Sequence, residues 1–176
     1  IAQILYNETD AGFIGSGLIS IVFGMLFFLS NLDHDKKINL QQAFVLTSLS
    51  WLSIAVFGSL PFIFSKLDLS ITDAFFESMS GITTTGSTII TNLDVAPKGI
   101  LLWRAMLQWL GGIGIIIFAI AILPILNIGG MQLFIQDWKE KDFDLHYRSK
   151  ELAKLVGTIY FSFTLLIFLI LWILGT

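Results

Sequence analysis

Runs too long and too apolar for a water-soluble fold of this size to bury dominate the chain. Ala11 to Asn31, Leu40 to Phe64 and Leu155 to Leu174 contain no charged side chain, and Ile100 to Leu126 contains one, Arg104. A helix needs about 20 apolar residues to cross a hydrocarbon core, and each run is long enough. Of the 176 residues, 55% are hydrophobic, 13% are charged and 16 are Phe. The surplus of apolar surface points to lipid as the solvent. The expected fold class is therefore an all-α membrane protein. Pro61, close to the end of the second run, fits a terminal kink rather than a break in mid-span.

Composition excludes more than it identifies. A net charge of −3 says little about partners, because in a membrane protein the placement of charge along the chain carries the information. No basic patch suggests nucleic acid. Cysteine is absent, which removes disulfides, thiolate metal sites and a cysteine nucleophile. Residues 1–11 lack a basic leader and a small-residue cleavage site, so no secretory signal is assigned. Ile1 at the start and Gly175-Thr176 directly after an apolar run lead us to expect that both ends are cut.

Basic residues set an expected orientation. Lys36 and Lys37 lie between the first two runs, and Lys139, Lys141, Arg148, Lys150 and Lys154 lie between or beside the last two. Lys66, Lys98 and Arg104 fall on the opposite side. The positive-inside rule places the larger group in the cytoplasm, so the second run leads outward, the third returns, and 127–154 is cytoplasmic.

The stretch between the second and third runs then has both ends outside, yet Ile71-Thr72-Asp73-Ala74-Phe75-Phe76-Glu77-Ser78-Met79-Ser80-Gly81-Ile82 is too apolar for an exposed loop. It is also too short to span, since about 12 helical residues reach only about 18 Å. Ser70, three residues before Asp73, resembles a capping-box start, and Asp73 suits the positive end of a helix dipole. Gly81 and the run Thr83-Thr84-Thr85-Gly86-Ser87-Thr88 lead back toward Pro97. The implied shape is re-entrant: a half-helix, an extended return, and an exit on the same side.

Irregular backbone at membrane depth persists only where protein or a watery cavity receives it. Thr83 to Thr88 has the composition of a cation filter wall, in which carbonyls face the ion, short hydroxyls brace the wall, and Gly permits backbone angles a side chain forbids. No acid lies between Gly81 and Leu93, where a carboxylate ring would favour divalent ions. The half-helix would turn its partly negative end toward the path. Taken alone, such a string is also ordinary loop composition; the half-helix and the flanking spans are what point to a filter.

Charges near membrane depth are functional candidates by default, and here they are Glu77 and Arg104. A structural ion pair is favoured for them over ion binding, since a bare Arg in the path would repel cations. Gly111, Gly112 and Gly114 suit close helix packing. His34 and His146 stand beside acids as solvated surface, without a metal assigned, and Trp51, Trp103, Trp109 and Trp172 are ordinary for spans and interfaces.

The residues from Phe76-Glu77-Ser78-Met79-Ser80-Gly81-Ile82 through the Thr/Gly loop, with Leu102-Trp103-Arg104, Gln108-Trp109-Leu110-Gly111-Gly112-Ile113-Gly114, Pro124 and Gly129-Gly130-Met131-Gln132-Leu133-Phe134, resemble the first pore repeat of the Trk/Ktr/HKT potassium transporters, in its TrkH-like branch. The resemblance implies successive helix, pore-loop, helix repeats whose four loops surround one ion path. It implies ion binding at Thr83, Thr84, Thr85, Gly86 and Ser87, with potassium, the transported substrate, at Thr84, Thr85 and Gly86. Glu77 and Arg104 would act as structural support; no catalytic residue and no cofactor is expected. On this basis 1–38 is part of an extra N-terminal helix region, 39–127 the first repeat, 128–150 a cytoplasmic connection and 151–176 the start of the second repeat. The resemblance further implies a multi-pass protein of the bacterial cytoplasmic (inner) membrane, in contact with lipid, homodimeric at full length, and regulated by a cytosolic TrkA-type nucleotide-binding subunit. The cytoplasmic stretch 137–144 departs from the family pattern.

Two other classes stay open at this point. A membrane-embedded enzyme would need acids, His or a nucleophile with its base near the loop, and the loop run has none. A secondary transporter with broken helices would use Gly111-Gly112 as an unwound midplane site.

Overall fold

The computed structural model describes residues 11–30, 39–122 and 145–175, and among these residues it is helical, with no strand. Helix α1 is Ala11–Ser30, α2 is Leu40–Ile63, α3 is Ile71–Ile82, α4 is Lys98–Ile122 and α5 is Leu145–Leu174, with a 3-10 turn at Leu93–Val95. In 4 of them the helix is long and apolar enough to cross a membrane. The exception is α3, whose 12 residues reach about 18 Å.

Local chemistry explains the boundaries. Helix α2 opens on a capping box absent from our sequence reading: Gln42 N–H donates to Asn39 Oδ1 at 2.8 Å, and Asn39 N–H donates to Gln42 Oε1 at 3.0 Å. Such a cap contributes about 1 kcal/mol. Pro61 lies inside the last turn of α2, and Phe64 N–H still reaches the Leu60 carbonyl at 3.0 Å. The hydroxyls of Thr47, Ser48, Ser50 and Ser59 in α2 are satisfied by its own backbone, as with Thr47 on Ala43 at 2.8 Å and Ser50 on Leu46 at 2.7 Å. A span rich in Ser and Thr therefore presents no orphan donor at these positions. Helix α4 starts two residues earlier than the apolar run, at Lys98, behind Pro97, whose carbonyl accepts Ile100 N–H at 3.0 Å. It continues through Gly111, Gly112 and Gly114, so the unwound site of a broken-helix transporter is not formed there. The expected end of the third span at Leu126 and most of the connection 128–150 lie outside the described residues.

Residues up to Gly112 form one compact unit. Within it α2 packs against both α1 and α3. Phe62, Ala74, Ile90, Ala96, Ile100 and Leu107 are the buried core, with Trp103 packed against it. Trp103 ties elements together: its indole Nε1 donates to the Gly58 carbonyl at 2.9 Å, and Phe13 meets its ring edge-on at 6.3 Å. Glycines allow α3 to be squeezed from both sides. A Cβ on Gly58 would stand 2.6 Å from Ser78 Oγ, and one on Gly111 would collide with the Ile82 carbonyl. From Ile113 onward the chain forms a second unit, in which the apolar side chains of α5 from Leu155 to Leu174 are largely exposed, as lipid contact requires.

Replacing Gly111 with Val is expected to push α4 off the end of α3 and cost about 1–3 kcal/mol or more. Gly24→Ala, with nothing within 4 Å of the added Cβ, serves as the control. Thermal unfolding of the detergent-solubilised full-length protein measures both, and equal midpoints would refute the close approach.

Candidate functional site: a braced loop behind a half-helix

Helix α3 is built to bury one side. Ala74, Glu77, Ser78, Ser80, Gly81 and Ile82 are inside. At its start Ser70 Oγ accepts Asp73 N–H at 3.1 Å, which is the forward half of a capping box. At its end Thr83 N–H reaches the Met79 carbonyl at 2.9 Å and Thr84 N–H the Gly81 carbonyl at 3.0 Å.

The loop then turns its peptides in a defined order. Thr84 has φ 58° and Gly86 φ 80°, both in the left-handed region. Gly tolerates this freely, whereas a β-branched Thr there carries strain on the order of 1–3 kcal/mol. Thr85 N–H and Gly86 N–H both donate to the Ser80 carbonyl, at 3.1 and 3.3 Å. No peptide bond among the described residues is cis, and a trans peptide sets its N–H and C=O on opposite sides. The carbonyls of Thr83, Thr84 and Thr85 therefore point away from the end of α3, where no hydrogen bond from a described residue meets them. Residues 83–89 are exposed, between buried Ile82 and buried Ile90.

The next carbonyls point the other way, into a brace. Arg104 Nη2 donates to the Gly86 carbonyl at 2.6 Å and to the Ser87 carbonyl at 3.4 Å. Ser80 Oγ donates to the Ser87 carbonyl at 2.6 Å. Glu77, which is fully buried, accepts Arg104 Nε on Oε1 at 2.5 Å and Ile89 N–H on Oε2 at 3.1 Å. One carboxylate thus joins α3, α4 and the returning chain. On the exposed side, Thr83 Oγ1 donates to the Met79 carbonyl at 2.8 Å and lies 2.9 Å from Thr85 Oγ1.

The structure thus brings Glu77 and Arg104 together with the carbonyls of Gly86 and Ser87, and turns the carbonyls of Thr83, Thr84 and Thr85 to the opposite side. Gln108 lies beside Gly86, its Nε2 3.4 Å from where a Cβ would stand. Ser80, Trp103 and Gln108 were not read as site residues. Only Ser80 had a visible signal: it follows Glu77 by one helical turn on the apolar half-helix. No group of three or more His, Cys, Asp or Glu suited to a metal occurs among the described residues. His34 lies outside them.

Residues 11–176 match the family described as TrkH, cation transport protein. The chain is 40% identical over 178 residues to the Trk system potassium uptake protein TrkH of Escherichia coli strain K12, covering 99% of this chain and 37% of that protein. It is 48% identical over 170 residues to the Trk system potassium uptake protein TrkI of Halomonas elongata, covering 94% of this chain and 34% of that protein. An uncharacterized cation transporter of Methanocaldococcus jannaschii is 32% identical over 182 residues, with 99% of this chain and 36% of that protein covered. The chain thus spans little more than a third of the length of these relatives.

Arg104→Ala would strand a buried carboxylate and is expected to destabilise the full-length protein by about 3–5 kcal/mol. Combining it with Glu77→Gln should recover part of that loss, because no buried charge is then left alone. An unfolding midpoint unmoved by Arg104→Ala would contradict the brace.

Proposed function

The chain belongs to the TrkH family of cation transport proteins, and from that premise we propose that it carries the first pore segment of a potassium uptake subunit. The observation that bears most weight is the set of successive carbonyls of Thr83, Thr84 and Thr85, turned away from α3 on an exposed loop. Dehydrated potassium needs several oxygens in place of its water shell, and carbonyl dipoles supply them without the tight hold of a carboxylate. The carboxylate present, Glu77, is neutralised by Arg104 and kept inside. In this reading Thr84 and Thr85 offer carbonyl ligands, with Thr83 below them. Gly86 contributes through its backbone angle, which lets the chain reverse carbonyl direction while Arg104 holds its own oxygen.

The remaining ligands would come from further loops of the full-length protein, in keeping with relatives more than twice as long as this chain. The segment 39–127 acts as the first helix, pore-loop, helix repeat, preceded by 1–38, followed by the cytoplasmic connection 128–150, and 151–176 opens the second repeat. The chain is a multi-pass membrane protein, its 4 span-like helices matching the transporter assignment. We place it in the bacterial inner membrane, as a homodimer at full length, served by a cytosolic TrkA-type nucleotide-binding subunit. Its work is transport without covalent chemistry.

Gly86→Ser in the full-length protein tests the reading. A Cβ at φ 80° strains the loop at the point where carbonyl direction changes. Potassium over sodium preference, measured as uptake in cells deficient in potassium uptake, is expected to fall roughly tenfold, the ratio that about 1.4 kcal/mol of differential binding produces. Unchanged selectivity and rate would remove the filter role.

A further inference from the structure

Carbonyl direction reverses between Thr85 and Gly86, and the residue that meets the chain on both sides of that reversal is Ser80. Its carbonyl accepts Thr85 N–H and Gly86 N–H, at 3.1 and 3.3 Å, which turns the Thr84 and Thr85 oxygens outward. Its hydroxyl donates to the Ser87 oxygen at 2.6 Å, which turns that oxygen inward. Ser80 is 5% exposed, so its end of these bonds is shielded from water. A single residue on a rigid helix thereby fixes three consecutive loop residues.

From this geometry we infer that Ser80 is a positioning residue for ion discrimination: it holds the outward carbonyls at a spacing that suits potassium and resists contraction around a smaller cation. The inference rests on the filter reading of the loop. Sodium gains only if the oxygens close in by several tenths of an ångström, and closing in requires the Thr84 to Ser87 backbone to slide relative to α3. The hydroxyl bond opposes that slide directly. Without it the Ser87 oxygen keeps only the longer contact to Arg104, at 3.4 Å, while the backbone bonds to the Ser80 carbonyl remain.

Ser78 provides an internal control. It lies two residues earlier on the same half-helix, is fully buried, and its hydroxyl has no hydrogen-bond partner. Removing either hydroxyl costs similar packing, but only Ser80 holds the loop.

The experiment compares Ser80→Ala, Ser78→Ala and Gly86→Ser in the full-length protein, with uptake normalised to folded protein in the membrane. Ser80→Ala is expected to lower the potassium to sodium uptake ratio several-fold and to raise the potassium KM, while Ser78→Ala leaves both unchanged. If Ser80→Ala does not reach the membrane, Ser80→Cys, similar in size but a weak donor, is expected to show the same shift at smaller size. An unchanged ratio in the Ser80 variant, with a lowered one in Gly86→Ser, overturns the inference and leaves the filter reading standing. Equal effects from the Ser80 and Ser78 variants reduce Ser80 to packing. No change in any of the variants overturns both readings together.

Discussion

Backbone that leaves a helix at membrane depth has no water to bond, and every N–H and C=O must be received by protein or by whatever passes through. In the reading proposed above, the return from α3 falls under this constraint, and most of its amides and two of its carbonyls have protein partners. Its amides are given to the helix end, to Glu77 and to Thr88 Oγ1, and the Gly86 and Ser87 carbonyls are given to Arg104 and Ser80. Among what is left over, on the exposed side, are the Thr83, Thr84 and Thr85 oxygens, with no donor among the described residues. The loop's surface chemistry is thus the remainder of its internal bonding, and the buried Glu77 carboxylate is where that bonding converges.

The same constraint explains the packing around the half-helix. Main chain can be braced this closely only if the neighbouring helices come near, which is why Gly58 and Gly111 face α3 where a larger residue would collide. Trp103 then fixes the separation of α2 and α4 by a bond to the Gly58 carbonyl. Core, brace and loop are one mechanical unit, with α3 wedged at its centre.

Much of this is legible in the sequence. Runs with at most one charge announced the spans, and the half-helix Ile71–Ile82 has the bounds that its apolarity, Ser70 before it and Gly81 near its end suggested. Those signals are local, carried by length, composition and caps. Carbonyl directions were not legible, because they depend on which amide finds which acceptor in space. Arg104 reaches Glu77 across 27 positions and Trp103 reaches Gly58 across 45, separations that no periodicity encodes. The Asn39–Gln42 cap is local too, yet its signal is weak beside the apolar run that begins at Leu40. Ser80 carried a signal in its spacing from Glu77, but not the three bonds that set it apart from Ser78.

Three carbonyl dipoles turned to the same side repel one another, and nothing on the described chain quiets that repulsion. A cation between them would. In the reading proposed above, the cargo is therefore also a missing piece of the wall, and its occupancy stabilises the folded loop by mass action as any ligand of the native state does. Potassium scarcity would then loosen the very conformation that recognises potassium, so that ion supply and filter integrity rise and fall together.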